Sequence, residues 1–275
     1  MKIKMLVDNN TLSGLRGEWG LSLFIEDNNK NILLDVGSSD LFIENAKAMD
    51  IELLKLDYLV LSHGHHDHTW GLPYLIRHYK MKGLQKEDAP ETIAHPFAFY
   101  PRISPKGKKF DPMVSDKELG IHFNLQLSKE PKWLTERLVY LGEIPRNNDF
   151  ESKESMVQVV TPEGVIDDYT LDDTALAYKG KEGLVIITGC SHSGICNIVE
   201  YAKKVCGDER IYDIVGGFHL MNSEEHIIKE TAKYMENNTP EVLHPCHCTG
   251  LKAKIELSKV ANVQHIGVGM ELEYE

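Results

Sequence analysis

Short apolar runs alternate with turn-forming residues along the first seventy residues of the chain. The runs KIKMLV, GLSLFIE and NILLDVG predict β-strands, because clusters of Asn, Asp and Gly separate them. The next stretch, DLFIENAKAMDI, predicts a helix with Leu41, Ile43, Ala46 and Met49 near one face. LDYLVLS then predicts a buried strand, and GLPYLIRHY a helix.

Residues 101–155 break this pattern. They are rich in Pro, Gly and charged residues and lack clear periodicity, which is typical of a surface excursion. A long insertion in a compact domain is often a lid or a binding element. We therefore expect a lid-like insertion over this range, with an inert insertion as the alternative.

Strands and helices alternate again in the second half of the chain. TALAYK, GLVIITG, IYDIVGG, EVLHP and NVQHIGVGMELEY predict strands, and SGICNIVEYAKKV, EEHIIKETAKYMEN and AKIELSKV predict helices. No linker separates the two halves. The pattern predicts a single α/β domain over residues 1–275, with helices covering the faces of a sheet.

Composition and charge narrow the range of partners. With 42% apolar and 26% charged residues, the composition is that of a globular protein. No apolar run reaches the roughly eighteen residues that would predict a membrane span. We therefore expect no membrane partner. The formal net charge of −12 would repel a phosphate backbone, so we also expect no nucleic-acid partner. No pattern specifies an oligomeric state.

Two features of the sequence predict the cellular compartment of the protein: its first residues and its cysteines. The stretch MKIKMLVDNN lacks the apolar segment of a signal peptide. The five cysteines are odd in number and lie in the last third of the chain, which favours reduced thiols over a disulfide framework. Both observations predict a cytoplasmic protein.

The segment LSHGHHDHTWGL carries four histidines and an aspartate within positions 63–68, directly after an apolar strand. Alternation along an extended backbone sends His63 and His65 to one side. Asp67 and His68, where the chain turns into a helix, face a second point close by. Imidazole nitrogen and carboxylate oxygen bind Zn²⁺, Mn²⁺, Fe and Ni²⁺. A metal site is therefore predicted here, and a solvated polar loop is the weaker alternative.

Three further histidines follow apolar strands: His192 in GCSHSG, His219 in GGFHL and His247 in HPCHCTG. A single histidine of this kind is more often a hydrogen-bonded structural residue. Recurrence at several strand ends favours metal ligation, more for His192 and His247 than for His219.

The HxHxDH pattern resembles the metal motif of the metallo-β-lactamase superfamily, and the resemblance extends over nearly the whole chain. It implies an αββα sandwich in which Asp35 of ILLDVG buttresses the site. It also implies that His63, His65 and His192 hold one metal ion and that Asp67, His68 and His247 hold another.

The chain departs from this family at the aspartate that bridges the two ions. The corresponding stretch is VGGFHLMN, without an aspartate at that point, and Asp213 lies at the wrong end of its strand. Either His219 substitutes as a ligand to one ion, or one ion is bound tightly and the other weakly. The resemblance therefore implies one or two divalent ions per chain, with Zn²⁺ as the first expectation.

GEWGLS, GCSHSG, GGFHL and HCTG together are similar to the branch that contains the archaeal dihydropterin ribofuranosyl-aminobenzene phosphate synthase. The resemblance implies a hydrolase that attacks a small, anionic or phosphorylated substrate with a metal-activated water. Asp67 would accept a proton, and His219 or His247 would stabilise a developing oxyanion. A related synthase or transferase, oxidative chemistry at iron and a non-catalytic, metal-stabilised binding protein are the alternatives.

Residues outside the metal motif give weaker predictions of substrate contacts. Arg102 and Lys106 lie in a basic run of an acidic protein and could attract a phosphorylated substrate, although a solvated charge run is more common. Glu18 and Trp19 could line the pocket from a turn, with packing of Trp19 on a sheet edge as the alternative.

The cysteines beside the histidines are predicted to be packing residues. Alternation along a strand puts His247 on the opposite side from Cys246 and Cys248. Cys190, just before the turn of His192, is given the same role.

Overall fold

The computed structural model describes residues 1–12, 14–104, 106–155 and 157–275, which form two compact units with separate sheets. The strands are β1 (Lys2–Val7), β2 (Ser22–Asp27), β3 (Lys30–Leu34), β4 (Tyr58–Val60), β5 (Glu91–Ala94), β6 (Arg102–Ile103), β7 (Lys109–Phe110), β8 (Asn124–Leu127), β9 (Lys132–Trp133), β10 (Leu138–Tyr140), β11 (Val157–Thr161), β12 (Gly164–Asp168), β13 (Ala175–Lys179), β14 (Leu184–Thr188), β15 (Ile211–Gly217), β16 (Val242–Cys246) and β17 (Glu271–Glu273). The helices are α1 (Leu41–Ala48), α2 (His66–Thr69), α3 (Leu72–Met81), α4 (Asp116–His122), α5 (Ile195–Cys206), α6 (Glu225–Asn238) and α7 (Leu251–Leu257). Within these described residues, no helix has the length and apolar character needed to cross a membrane.

The first unit comprises Met1–Lys129, Ser155–Asp168 and Gly267–Glu273. Its main sheet has seven strands in the order β17-β1-β2-β3-β4-β5-β8, and a separate four-stranded sheet has the order β12-β11-β6-β7. Strands β3, β4, β5 and β8 pair in parallel. The carboxyl ends of these strands therefore share one edge, where Asp35 follows β3 and the histidine cluster follows β4.

Helix α3 follows the histidine cluster and is held by one apolar face. Leu72, Leu75, Ile76 and Tyr79 recur at intervals of three and four residues and are buried. They belong to the same core cluster as Leu59 of β4. The first turn of the helix contains a proline, which suits a position where no backbone N–H is needed. The segment between β4 and α3 is thus fixed at both ends by packing.

The second unit comprises Glu130–Glu154, Tyr169–Ile266 and Tyr274–Glu275. Its sheet has six strands in the order β16-β15-β14-β13-β10-β9. Strands β14, β15 and β16 are parallel neighbours, so their carboxyl ends also share one edge. His192, His219 and His247 follow these three strands at that edge.

Glu151 caps the helix that begins after the His192 turn. Its carboxylate accepts hydrogen bonds from the backbone N–H groups of Cys196 and Asn197 at 3.0 and 3.1 Å, in the first turn of α5. Burial raises the pKa of the Glu151 carboxyl above its ordinary value, against these hydrogen bonds.

Residues 101–155 differ from the continuous surface excursion that the sequence predicts. They contain β6 to β10 and α4, and β8 and β10 belong to the main sheets of the first and second units respectively. Phe123, Leu138 and Tyr140 are fully buried. The apolar runs that form these strands are too short for their periodicity to emerge among the charged residues. The lid-like role of this range stays a prediction, as does the single domain over residues 1–275.

Candidate metal centre

Three imidazoles of the first unit lie together beyond the end of β4. The ring centroid of His63 is 4.6 Å from that of His65 and 4.2 Å from that of His68. Asp67 Oδ2 is 3.9 Å from Nε2 of His68, close enough for both atoms to bind one ion. His63, Asp67 and His68 are buried, so this cluster is not a solvated polar loop.

The backbone between β4 and α3 separates the three clustered histidines from His66. A Cβ at Gly64 would lie 2.0 Å from the carbonyl oxygen of Ala98, so only glycine fits there. Helix α2 begins at His66, which ends the strand-like alternation. The His66 ring packs 5.0 Å from the ring of Trp70 instead of joining the other three imidazoles.

A buried hydrogen-bond network fixes the ring nitrogens of His63 and His68. Asp35 accepts from the Ser62 backbone N–H at 2.7 Å and from the Ser62 hydroxyl at 2.6 Å. Its Oδ2 is also 2.6 Å from Nδ1 of His68. Because the Ser62 hydroxyl gives its proton to Asp35, its oxygen accepts from Nδ1 of His63 at 3.0 Å. Both imidazoles are therefore oriented to offer Nε2 to a metal ion.

The second unit gathers three imidazoles and two thiols at the edge formed by β14, β15 and β16. The ring centroids of His192 and His219 are 4.0 Å apart. The sulfur of Cys190 lies within 4.8 Å of a ring nitrogen of His192, of His219 and of His247. All of these residues except His192 and His219 are buried, and those two are half-buried.

Left-handed backbone conformations occur where these side chains leave the strand ends. The φ angles of Asp35, Ser191, His219 and His247 are 58°, 61°, 53° and 50°. Such angles are uncommon for residues other than glycine and are enriched at functional sites. Each turns the chain sharply at the edge of a sheet, which a sequence pattern of alternating side chains does not predict.

Asp173 holds the His192 turn in place, and sequence reasoning missed it. Its Oδ2 accepts from the backbone N–H of Ser193 at 2.8 Å and from the Ser193 hydroxyl at 2.5 Å. Burial raises the pKa of Asp173 to about 6, although the Ser193 hydrogen bonds act in the opposite direction. The TLDDTAL run contains the signal, a pair of acidic residues directly before a buried strand.

Cys190 and Cys248 are buried, as their predicted packing role requires, but their surroundings are not purely apolar. The sulfur of Cys248 accepts from the backbone N–H of His219 at 3.3 Å and lies 3.4 Å from the carbonyl oxygen of Cys190. Strand β16 ends at Cys246 and His247 is left-handed, so alternation no longer applies at Cys248. Both thiols belong to the donor cluster of the second unit.

The predicted substrate contacts do not form one basic patch. Arg102 is buried and forms an ion pair with Asp168 at 2.7 Å. Water cannot solvate the guanidinium at this position, so the carboxylate of Asp168 compensates its charge. Lys106 is exposed. Glu18 accepts from the backbone N–H groups of Ser38 and Ser39, at 2.9 and 3.1 Å, and so stabilises a turn.

Trp19 lies beside this turn with 48% of its surface exposed, so its pocket-lining role and the alternative of a half-buried residue packed on a sheet edge both stay predictions. Of the predicted substrate residues, Trp19 and Lys106 therefore offer accessible surface, whereas Arg102 does not.

The donor atoms of each unit fit divalent metal ions. The first unit supplies imidazoles and a carboxylate, and the second supplies imidazoles and thiols, all of which are ligands of Zn²⁺. Buried imidazoles crowded within about 5 Å are costly unless a cation is shared among them, and metal binding offsets that cost.

Comparisons with known proteins agree with the motif. The profile of the metallo-beta-lactamase superfamily matches residues 20–203. An uncharacterized protein of Methanocaldococcus jannaschii is 33% identical over 271 residues, which cover 97% of this chain and 98% of that protein. The 7,8-dihydropterin-6-methyl-4-(beta-D-ribofuranosyl)-aminobenzene-5′-phosphate synthase of the same organism is 33% identical over 250 residues, covering 86% of this chain and 82% of the synthase.

A solved structure is also similar over the whole length. The crystal structure of a metal-dependent hydrolase of the beta-lactamase superfamily superimposes with a TM-score of 0.84 and 27% identity, covering 99% of this chain and 98% of that chain. The predicted α/β fold of the metallo-β-lactamase type is confirmed, as is the resemblance to the branch that contains the synthase. The chain belongs to the metallo-β-lactamase superfamily.

Proposed function

We propose that the protein is a metal-dependent hydrolase that acts on a small, anionic substrate, with a phosphorylated compound as the first expectation. The observation that carries this proposal is the buried contact of 2.6 Å between Nδ1 of His68 and Oδ2 of Asp35. A carboxylate that holds the far nitrogen of an imidazole is the usual support of a metal ligand. A histidine with only a packing role would not need it.

The metal ligands follow from the family motif. We assign His63, His65 and His192 to one ion and Asp67, His68 and His247 to the other, and Zn²⁺ suits both donor sets. When bound, such ions acidify a water molecule and polarise a carbonyl or phosphoryl oxygen.

The side chains of this site would handle the proton and the developing charge. Asp67 is an acceptor-only carboxylate when ionised, so it can take a proton from the attacking water. His219, which lies beside His192, can donate a hydrogen bond to an oxygen that gains negative charge. We propose these two residues as the catalytic pair.

A phosphorylated substrate is supported by the relative that is named an aminobenzene-5′-phosphate synthase, at 33% identity. The same relative supports a second function, a synthase or transferase in which the ions would orient a phosphate-bearing substrate. We also propose a cytoplasmic location, which the absence of disulfides among the five cysteines supports.

Metal analysis of two histidine variants tests the proposal. Protein purified without added metal should contain a divalent metal and should hydrolyse at least one member of a panel of phosphoesters, thioesters and lactones. His65→Ala should lose metal and activity. His66→Ala is the matched control, since its ring packs on Trp70, and it should keep both.

The outcomes are distinct for each function. Wild-type protein without bound metal, or a His65→Ala variant with full metal content and turnover, would overturn the assignment. Bound metal with no hydrolysis of the panel, but with condensation of a phosphorylated sugar and an aromatic amine, would favour the synthase.

A further inference from the structure

Cys190 occupies the centre of the donor cluster in the second unit. Its sulfur lies within 4.8 Å of a ring nitrogen of each of His192, His219 and His247, and of the sulfur of Cys248. The Cys190 side chain is 4% exposed. A sulfur that merely filled space would not need to face three imidazoles, each of which is delivered by a different strand end.

The family motif divides these histidines between two ions. His192 belongs to the first ion and His247 to the second, and the aspartate that links the ions elsewhere in the family is missing from VGGFHLMN. The sulfur of Cys190 is near both histidines. We propose that Cys190 is a thiolate ligand shared by the two metal ions and that it takes the place of the missing carboxylate. This inference rests on the metal centre of the proposed function.

The chemistry of a thiolate suits this role. The thiolate and not the thiol is the metal ligand, and a coordinated thiol loses its proton to solvent. Its negative charge replaces the charge of the missing aspartate. A softer ligand also favours Zn²⁺ and other soft or borderline ions over Mg²⁺ or Ca²⁺.

Cys248 contacts the backbone of two other residues of the cluster. Its sulfur contacts the backbone N–H of His219 and the backbone carbonyl of Cys190, at 3.3 and 3.4 Å. These contacts connect the segments that follow β14 and β15. Cys248 is therefore assigned a positioning role, and it is also the rival for the ligand role, since its sulfur is close to Cys190 and His219.

Cobalt substitution separates the two cysteines. Full-length protein reconstituted with Co²⁺ should show a near-ultraviolet thiolate-to-cobalt charge-transfer band. Cys190→Ser should lose the band and weaken the binding of one or both ions. Cys206→Ser is the matched control, because Cys206 is also buried but belongs to the apolar core at the end of α5. It should keep the full band.

A carboxylate variant provides a second test that does not depend on the serine protein folding well. Cys190→Asp should restore the binding of both ions without any charge-transfer band. A band that persists in Cys190→Ser overturns the assignment. If Cys248→Ser then loses the band, Cys248 is the thiolate ligand instead. Wild-type protein that binds Co²⁺ and hydrolyses substrate without a band also overturns the assignment. Wild-type protein that binds no metal would instead refute the proposed function itself.

Discussion

Nδ1 of His68 lies 2.6 Å from Oδ2 of Asp35, and both side chains are completely buried. The contact joins the residue that follows β3 to helix α2, which comes after the parallel strand β4. It fixes the ring of His68 and leaves Nε2 as the nitrogen that is available to a metal ion.

Asp35→Asn should therefore weaken metal binding while the fold persists. The amide can still accept from Ser62, but it no longer provides the charge that holds the Nδ1 proton of His68. We expect a loss of about 10- to 100-fold in metal affinity, the range typical of such supporting residues. Competition with a chromophoric chelator measures the affinity.

Asp57→Asn is the control for that measurement, because Asp57 pairs with Lys30 at the surface of the same unit, at 2.7 Å. Its affinity should match that of the wild type. Equal affinities for the wild type and Asp35→Asn would contradict the supporting role of Asp35.

Gly64→Ala should distort the loop that carries His63 and His65. The added Cβ would meet the Ala98 carbonyl oxygen at 2.0 Å, so the backbone must shift. Overpacking of this kind typically destabilises by about 1–3 kcal/mol, and metal content should fall in parallel. Urea unfolding and metal analysis measure the two effects.

Gly120→Ala, in helix α4, is the matched substitution with no heavy atom within 4 Å of its Cβ. It should leave metal content unchanged and raise the free energy of unfolding by up to about 1 kcal/mol. If Gly64→Ala behaves in the same way, the close approach to Ala98 has no consequence for the site.

Arg102→Met should destabilise the protein, since Asp168 would then be buried without its cation. The pair is 2.7 Å apart, with side chains 4% and 3% exposed. Removing one member of a buried pair costs about 3–5 kcal/mol. Denaturant unfolding measures this loss, and Lys106→Met, on the exposed lysine, should change stability by less than about 0.5 kcal/mol. A raised KM for Arg102→Met at unchanged stability would return Arg102 to a role in substrate binding.

Glu151→Gln should remove a pH-dependent part of the stability. The folded-state pKa of Glu151 is raised from 4.5 by burial, so folding favours the protonated form. The stabilising contribution is thus complete below about pH 4.5 and is lost as the pH rises through the folded pKa. Unfolding free energies measured across this range should show the wild-type advantage over the variant shrinking towards neutral pH. An advantage that grows with pH would mean that the carboxylate form is the favoured one.

Much of the fold could be read from the sequence, because buried parallel strands and amphipathic helices have strong patterns. The run LDYLVLS contains β4, and the helical spacing in GLPYLIRHY corresponds to α3. The run NVQHIGVGMELEY, in contrast, contains only the short strand β17. The rest of the run pairs only through isolated bridges, between Val263 and Leu243 and between Val268 and Thr11, so it does not form one continuous strand.

The hairpin of β11 and β12 was harder to predict. Its outer strand is exposed at Gly164–Asp167, so no burial pattern marks it. Alternating hydrophobicity arises only where one face is covered. The structure of β12 comes from its pairing with β11, the preceding strand in the sequence, and not from burial of one face.

The clustering of His63, His65 and His68 was predictable because their motif is local, but the position of Cys190 and Cys248 among other donor atoms was not. The expectation for Cys248 relied on strand alternation, which holds only while φ stays in the extended region. His247, at φ 50°, reverses the chain one residue earlier. A single left-handed residue is therefore enough to invalidate the alternation rule for the side chain of its neighbour.

The left-handed residues at these strand ends also limit which substitutions the protein can accept. Asp35, Ser191, His219 and His247 all hold a left-handed backbone, which branched side chains such as valine and isoleucine adopt only under severe strain. We expect substitutions at these positions to be confined to glycine, asparagine, aspartate and the few other unbranched residues that tolerate a positive φ, such as the serine and histidines found here. A saturation-mutagenesis library would therefore show a narrow tolerance profile set by torsion angles, beyond any requirement for a particular functional group.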